Sequence, residues 1–538
     1  TDRDGLYGIP RFLEAACKAD ILPIVGAQVS TAGGHVVLLA ESIEGYRSLC
    51  RLITDYRTSS EDRRRPVCPL GKILEHKEGL ICLTGAVPFG LIPGLILAGQ
   101  RKEATEVLCR LHEAFGDRLY VELTDDETAT GRRSMGKVAA FARDAGVPVV
   151  AAGDVAYLSP TDHRLHDVLV AAANLTALPG PEYRPTDRLH LRSGKEIRRL
   201  FEDYPEALEN VANAARRCAG AVKLSGRIHM PEAILPPGKT AGKVLLELTL
   251  AGARRRYGRR AGDDPTAEEL KSRLGRELRC IHALGFAPYF LIAHEAKEIA
   301  KSKGIPVTGR GSAANSLVSH CLGLSEPEPF SNRLLFERFL HEGRKDPPDV
   351  DLDFCSVRRD EVRFEMIHRY ERRGGVAEAA TVQTMSLRGA VRVAARALGH
   401  SPQEIDTLSR QVPTRFHDRD RIYAGLSGWE ESLAEPAMQG HPLQDTERYR
   451  LLLELSAGLA GRIKEGGTHS GGMVFGTAEH HLSELVPLEP SGTEGLLRCQ
   501  YDKDDLERVG LPKLDLLGLR MHTALHKAGE LASSRLGR

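Results

Sequence analysis

The sequence predicts a multidomain chain, α/β in its first part and α+β in its second, and three observations carry that reading. From residue 1 to about 218, helical patterns such as "IPRFLEAACKA" and "ATEVLCRLHEAFG" alternate with short apolar runs such as "ILPIVGA", "HVVLLA", "GLICLTG", "RLYVEL" and "VPVVAAGD". That alternation predicts α/β units around a mostly parallel sheet, with closure into a barrel as one outcome. A Pro/Gly-rich connector follows at 220–240, and then a helical, charged segment from 241 to about 300. Finally, a stretch from 381 to about 464 is dominated by helical patterns, after which short apolar runs return in "GGTHSGGMVFG" and "GLPKLDLLGLR". An α+β domain interrupted by a helical module, then resumed, accounts for this order.

A chain of 538 residues is long enough for about three or four domains, each with its own core. With 74 Lys+Arg against 73 Asp+Glu the formal charge is +1, so net charge selects no partner, although a local positive channel is compatible with it. The ten cysteines are scattered singly, without a C-x-x-C pair, which fits reduced thiols and a cytoplasmic location and argues against zinc fingers. There is no run of eighteen apolar residues and no signal-peptide profile, so a membrane association is not expected. The chain opens without Met on residues that read as the end of a strand feeding a helix, and a truncated front is expected.

The chemistry concentrates in "KDPPDVDLDFCSVRRDE", residues 345–361, where Asp349, Asp351 and Asp353 alternate with Val350, Leu352 and Phe354. A period of two is that of a strand, so the three carboxylates share one face. They repel one another unless the face is open water or cations sit between them. An EF-hand loop would need Gly where Phe354 stands. Two readings stay open: an edge strand with a charged solvent face, or two-metal phosphoryl transfer with cations about 3.5–4 Å apart. The second needs another acid from elsewhere, and Asp515, the lone acid in "GLPKLDLLGLR", is the candidate. A carboxylate flanked by Leu514 and Leu516 is costly unless a cation pairs with it.

Upstream, "TGRGSAANSLVSHCL" sets Arg310, Gly311 and Ser312 before an apolar-periodic helix. That arrangement suits an anion, although the stretch by itself reads first as a plain Ser N-cap after a glycine turn. It is not a Walker A loop. In "LLFERFL", Glu337 and Arg338 are either the solvated stripe of an amphipathic helix or, for Arg338, a bidentate phosphate contact. Lys503, Lys513, His469 and Ser470, in "QYDKDDLERVG", "GLPK" and "GGTHSGG", are individually weak candidates for phosphate or template contacts.

Taken in order, "TDRDGLYG", "VGAQ", "GRGSAANSLV", "LLFERFL", "PPDVDLDF", "TVQTMSLRGAVR", "GGTHSGGMVF" and "QYDKDDLERVGLPKLDLLGLR" resemble the bacterial C-family DNA polymerases, the alpha subunit of DNA polymerase III. The resemblance runs essentially end to end. It implies catalytic, metal-binding acids at Asp349, Asp351 and Asp515, with Asp353 supporting; triphosphate contacts at Arg310, Gly311, Ser312 and Arg338, joined by Lys503 and Lys513; and DNA contacts at His469 and Ser470. The implied reaction is attack of a primer 3′-hydroxyl on the α-phosphate of a dNTP, assisted by two Mg²⁺ ions, with pyrophosphate leaving. The implied layout is an N-terminal PHP-like (β/α) barrel over residues 1–218, a polymerase palm with a mixed sheet of the polymerase-beta-like nucleotidyltransferase type over 219–380 and 466–520, a helical thumb inserted at 381–465, and the start of the fingers at 521–538. Primer-template DNA, dNTP, a sliding clamp and other replisome or mutasome subunits are the implied partners.

Two departures from the family pattern matter. Where active PHP domains carry metal-binding residues, this chain has Arg3 after "TD", Gln28 in "GAQ" and Ala156 in "DVAY", keeping Asp154. No PHP nuclease activity and no intact PHP metal cluster are therefore expected, with Asp154 as a vestige of that site. The chain also stops at Arg538, without the fingers, clamp-binding segment or OB-fold of the family, so activity of this chain alone is not expected to be robust. The opening residues and degenerate PHP ligands look more like the error-prone, lesion-bypassing paralogue than the main replicative one. A PHP-type phosphoesterase and a noncatalytic DNA-binding fragment are the competing readings.

Overall fold

A computed structural model describes residues 1–179, 186–224, 226–258, 266–341, 343, 348, 350–412, 429, 433, 434 and 436–536. The first unit is built on a six-stranded sheet: β1 (Asp2–Arg3), β2 (Gly26–Thr31), β3 (Gly34–Ala40), β4 (Leu80–Leu83), β5 (Leu119–Thr124) and β6 (Val149–Ala152), adjacent in chain order. The β4 and β5 runs are buried at every residue, as expected for strands covered on both faces. Three of the five pairings, β1–β2, β4–β5 and β5–β6, are parallel. β3 alone runs against its neighbours: only two residues separate it from β2, too few for a crossover, and β4 pairs with the reversed strand antiparallel. No pairing joins β6 back to β1 among the described residues.

The second unit is a seven-stranded mixed sheet in the order β11-β12-β9-β10-β13-β8-β7. Its strands are β7 (Val307–Arg310), β8 (Asp351–Cys355), β9 (Val376–Thr384), β10 (Ile463–Phe475), β11 (Leu488–Pro490), β12 (Leu497–Asp502) and β13 (Lys513–Leu519). The helices Ala241–Tyr257, Ala267–Ala283 and Ala287–Ser302 occupy the segment expected to be helical, and the last of them buries nine residues. Under β8 and β13, Val350, Leu352, Phe354, Leu514 and Leu516 join Phe290, Ile292 and Phe339 in one core.

β9 and β10 are neighbours in the sheet, and the helices Leu387–Ala397, Pro402–Ser409 and Arg450–Leu459 lie between them in the chain. Two backbone bonds, Met385 N–H to the Arg462 carbonyl and Gly461 N–H to the Met385 carbonyl, both 2.8 Å, close the neck of this insertion. The sheet extends to Thr384 and resumes at Ile463, so the outermost residues of the expected 381–465 module are strand.

Beside their own clusters the units share buried ones. Helix Ile43–Ser59 of the first unit packs its Tyr46, Leu49, Leu52 and Ile53 in one cluster with Val474, Leu482, Leu488, Cys499 and Tyr501 of the second. Helix His163–Ala173 contributes Val168 and Ala171 to the core of the insertion. The ten cysteines are thiols not joined in disulfides, and among the described residues no helix is long and apolar enough to cross a membrane.

Candidate active site

β8 lies between β13 and β7 and is therefore not the edge strand that its alternating acids also allow. Asp351 is the register partner of Asp515 on parallel β13 and of Arg310 on antiparallel β7. Leu352 and Phe354 point to the core at 0 % exposure, which turns Asp351 and Asp353 to the opposite face. There the Arg310 Nε lies 3.4 Å from the Asp353 Oδ2 and 3.8 Å from the Asp351 Oδ2. One guanidinium compensates two carboxylates. On the far side, the Lys513 Nζ donates to the Asp515 Oδ2. The other oxygen of Asp515, Oδ1, is buried and accepts no hydrogen bond among the described residues. Asp349 lies outside the described residues.

The two turns expected to contact phosphate sit at the rim. Gly311 has φ +76°, and a Cβ there would lie 3.3 Å from the Asp351 Oδ2, so glycine meets both the left-handed backbone and the close approach. A 3-10 turn, Gly311–Asn315, follows, and the α-helix begins only at Leu317. Its cap is Ser316, whose hydroxyl accepts from the Ser319 N–H at 3.1 Å. Ser312 is thus not an N-cap. "LLFERFL" is not an amphipathic helix either: Phe336, Phe339 and Leu340 are buried, and Phe336–Arg338 is a 3-10 turn lying against Gly311–Asn315. Arg338 is exposed there, beside an ion pair of Glu337 with Arg276 at 3.1 Å.

His469 and Ser470 lie in a bulge of β10, which between Thr468 and Met473 spends three more residues than β9 opposite it. The His469 Nδ1 accepts the N–H groups of Gly471 (3.3 Å) and Gly472 (2.8 Å). A ring whose Nδ1 accepts carries its proton on Nε2. Its 3.7 Å approach to the Asp515 Oδ1 is therefore not an ion pair through that nitrogen. Lys503, by contrast, opens a helix at the end of β12, three strands from β13, or about 14 Å at the usual strand spacing. It stands apart from the acids.

Several supporting residues carry no motif. Arg359 donates to the Ser470 carbonyl and so braces the bulge. Arg363 and Glu378 form a buried ion pair beneath it. Glu277, fully buried, accepts from the Ser316 hydroxyl at 2.9 Å and the Val318 N–H at 3.0 Å. An i,i+4 spacing from Arg273 to Glu277 was the available signal, but such spacing is far commoner on exposed helix faces.

In the first unit, Arg3 and Gln28 are register partners on β1 and β2, and Asp154 follows β6 with φ 44°. Near Asp154 lies the wholly enclosed Glu122 of β5, which burial and, secondarily, the Asp154 charge push up to about 8. Among the described residues, no group of three or more His, Cys, Asp or Glu is placed to hold a metal ion. For the acids of the second unit, the donor chemistry nonetheless fits a hard cation: carboxylates on adjacent strands, one of them with a buried oxygen still lacking a donor.

Fold and site together define a class: an α/β unit sharing its core with a mixed sheet, on which carboxylates of two neighbouring strands lie below cationic turns. The chain belongs to the bacterial DNA polymerase III alpha family. Residues 243–518 match the family model described as the bacterial DNA polymerase III alpha NTPase domain, and residues 1–126 match the PHP domain. The chain is similar to the error-prone DNA polymerase of Symbiobacterium thermophilum, with 34 % identity over 98 % of this chain and 48 % of the relative. It is similar to the error-prone DNA polymerase of Mycobacterium tuberculosis strain H37Rv, with 32 % identity over 100 % and 47 %. It is also similar to the DNA polymerase III subunit alpha of Caulobacter vibrioides, with 32 % identity over 98 % and 46 %. The chain spans about half the length of these curated relatives.

Proposed function

We propose that this chain carries the nucleotidyl-transfer centre of a DNA-directed DNA polymerase, working in bacterial DNA replication or error-prone translesion synthesis in the cytoplasm. The observation that carries the reading is the register pairing of Asp351 with Asp515, with Arg310 on the other side of Asp351. In this reading residues 1–218 form a PHP-like (β/α) unit without a PHP metal, 219–380 and 466–520 the palm, 381–465 the thumb, and 521–538 the start of the fingers. The family names of the relatives support it, as does the interruption of the sheet between β9 and β10.

Asp351 and Asp515, with Asp349, would hold two Mg²⁺ ions, which when bound supply Lewis-acid charge to the oxygens of the reacting phosphate. The chain's own residues bind and orient. Arg310 and Arg338 meet the triphosphate as planar, permanently charged donors. Gly311 and Ser312 let the backbone approach it closely. Lys513 holds Asp515 in place, and Asp353 fixes Arg310 from below. His469 and Ser470 face the primer-template from the β10 bulge, while Lys503 serves phosphates further out. Clamp and replisome or mutasome subunits complete the assembly.

The test is Mg²⁺-dependent primer extension by the intact protein beside Asp351→Asn and Asp515→Asn. Each variant is expected to lose at least about a thousandfold in kcat while retaining salt-sensitive primer-template binding. Extension by either variant at the parent rate rejects the site.

A further inference from the structure

Helix Ala267–Ala283 lies outside every motif, yet it makes a concentrated set of polar contacts to the rim turns. The Arg273 Nε donates to the Glu277 Oε1 at 2.9 Å. The Arg273 Nη2 donates to two carbonyls at once, Asn315 at 3.0 Å and Leu334 at 2.8 Å. Asn315 ends the turn that begins at Gly311, and Leu334 directly precedes the segment leading into Phe336–Arg338. The Glu277 Oε2 takes the Ser316 hydroxyl and the Val318 N–H, at the start of the next helix. The guanidinium also stacks over Phe330 at 5.1 Å. The pair is enclosed, with side-chain exposures of 12 % and 0 %.

Such an arrangement is expensive to bury and rigid once satisfied. Between the two carbonyl contacts lies Arg333, held at φ 49°, a backbone state that persists only where the surroundings over-determine it. We infer that Arg273 and Glu277 are positioning residues that hold the Arg310–Ser312 turn and the Arg338 turn in one frame, so that both meet the same triphosphate. This rests on the proposed function, which supplies the triphosphate; the bracing itself rests on the contacts above. A planar fork suits the task, because Lys reaches fewer acceptors from one position.

The test has two readouts. In Arg273→Ala, and in the shape-conserving Glu277→Gln should the first not fold, hydrogen exchange of this chain without nucleotide is expected to quicken about tenfold or more at 311–318 and 334–338, leaving β9 and β12 unchanged. In the intact protein, the KM for dNTP is expected to rise about tenfold while kcat falls less than about threefold, with Arg273→Lys in between. Folded variants whose turn exchange is unchanged overturn the inference, as does a fall in kcat at constant KM. If exchange quickens as expected but Arg338→Ala leaves the dNTP KM unaltered, the triphosphate reading fails and the bracing stands.

Discussion

Asp515 and Glu122 are both buried carboxylates in strands, and their surroundings separate them. Asp515 has Lys513 two residues away on its own strand, whereas Glu122 has burial and a second acid, Asp154. A carboxyl raised from its ordinary 4.5 to about 8 is protonated in the folded chain and ionised in the unfolded one between those values. The folded chain then binds more protons, so stability falls as pH rises through that window and is lowest above it. At about 1.4 kcal/mol per pKa unit the total is a few kcal/mol. Glu122→Gln is expected to flatten this slope in urea unfolding between pH 5.5 and 8.5. Parallel profiles for parent and variant would reject the assignment.

Residues were legible to different degrees. Asp515 stood out because a lone acid between Leu514 and Leu516 is costly without a partner, whereas the alternation around Asp351 also suited a charged edge strand. Arg273 and Glu277 did not, because burial is a property of the folded surroundings, and a charged pair at i,i+4 looks the same in sequence whether exposed or enclosed. Ser312 misled for a local reason: the intervening 3-10 turn moves the cap to Ser316, and both serines satisfy the same capping pattern.

Among elements, strands could be read from short apolar runs and, for β8, from a period of two, but pairing order could not. β8 looked like an edge because its acids alternate; β13 and β7 flank it only after long chain excursions. The β10 bulge was equally hidden, since its glycines are explained by what they approach. A Cβ on Gly472 would meet the His469 Nδ1 at 2.9 Å, the Ala379 Cβ at 3.1 Å and the Asp515 Oδ1 at 3.2 Å. Gly472→Ala is expected to cost about 1–3 kcal/mol by overpacking and to weaken the protection of the Gly471 amide in hydrogen exchange. Denaturation at the parent's midpoint with unchanged protection would show that the bulge yields.

At the level of the whole molecule, the first unit is bound to both parts of the second: to the sheet through helix Ile43–Ser59, and to the insertion through helix His163–Ala173. The Tyr46 hydroxyl seals the first seam, with the Leu485 carbonyl and the Tyr501 hydroxyl each at 2.9 Å. Tyr46→Phe leaves buried polar atoms there without that partner, so a loss of about 1–3 kcal/mol is expected. Because the core is common, the melting of both sheets should shift together, read by hydrogen exchange in β5 and β12. A shift confined to β5 would mean that the units unfold independently.

The common core also sets a timetable for synthesis. Tyr46, Leu49 and Leu52 are translated more than 400 residues before their partners Leu488, Cys499 and Tyr501. At about 5–20 residues per second, that delay is roughly 20–80 s. Throughout it, one face of helix Ile43–Ser59 has no native surface to lie against and is a natural client for a holding chaperone.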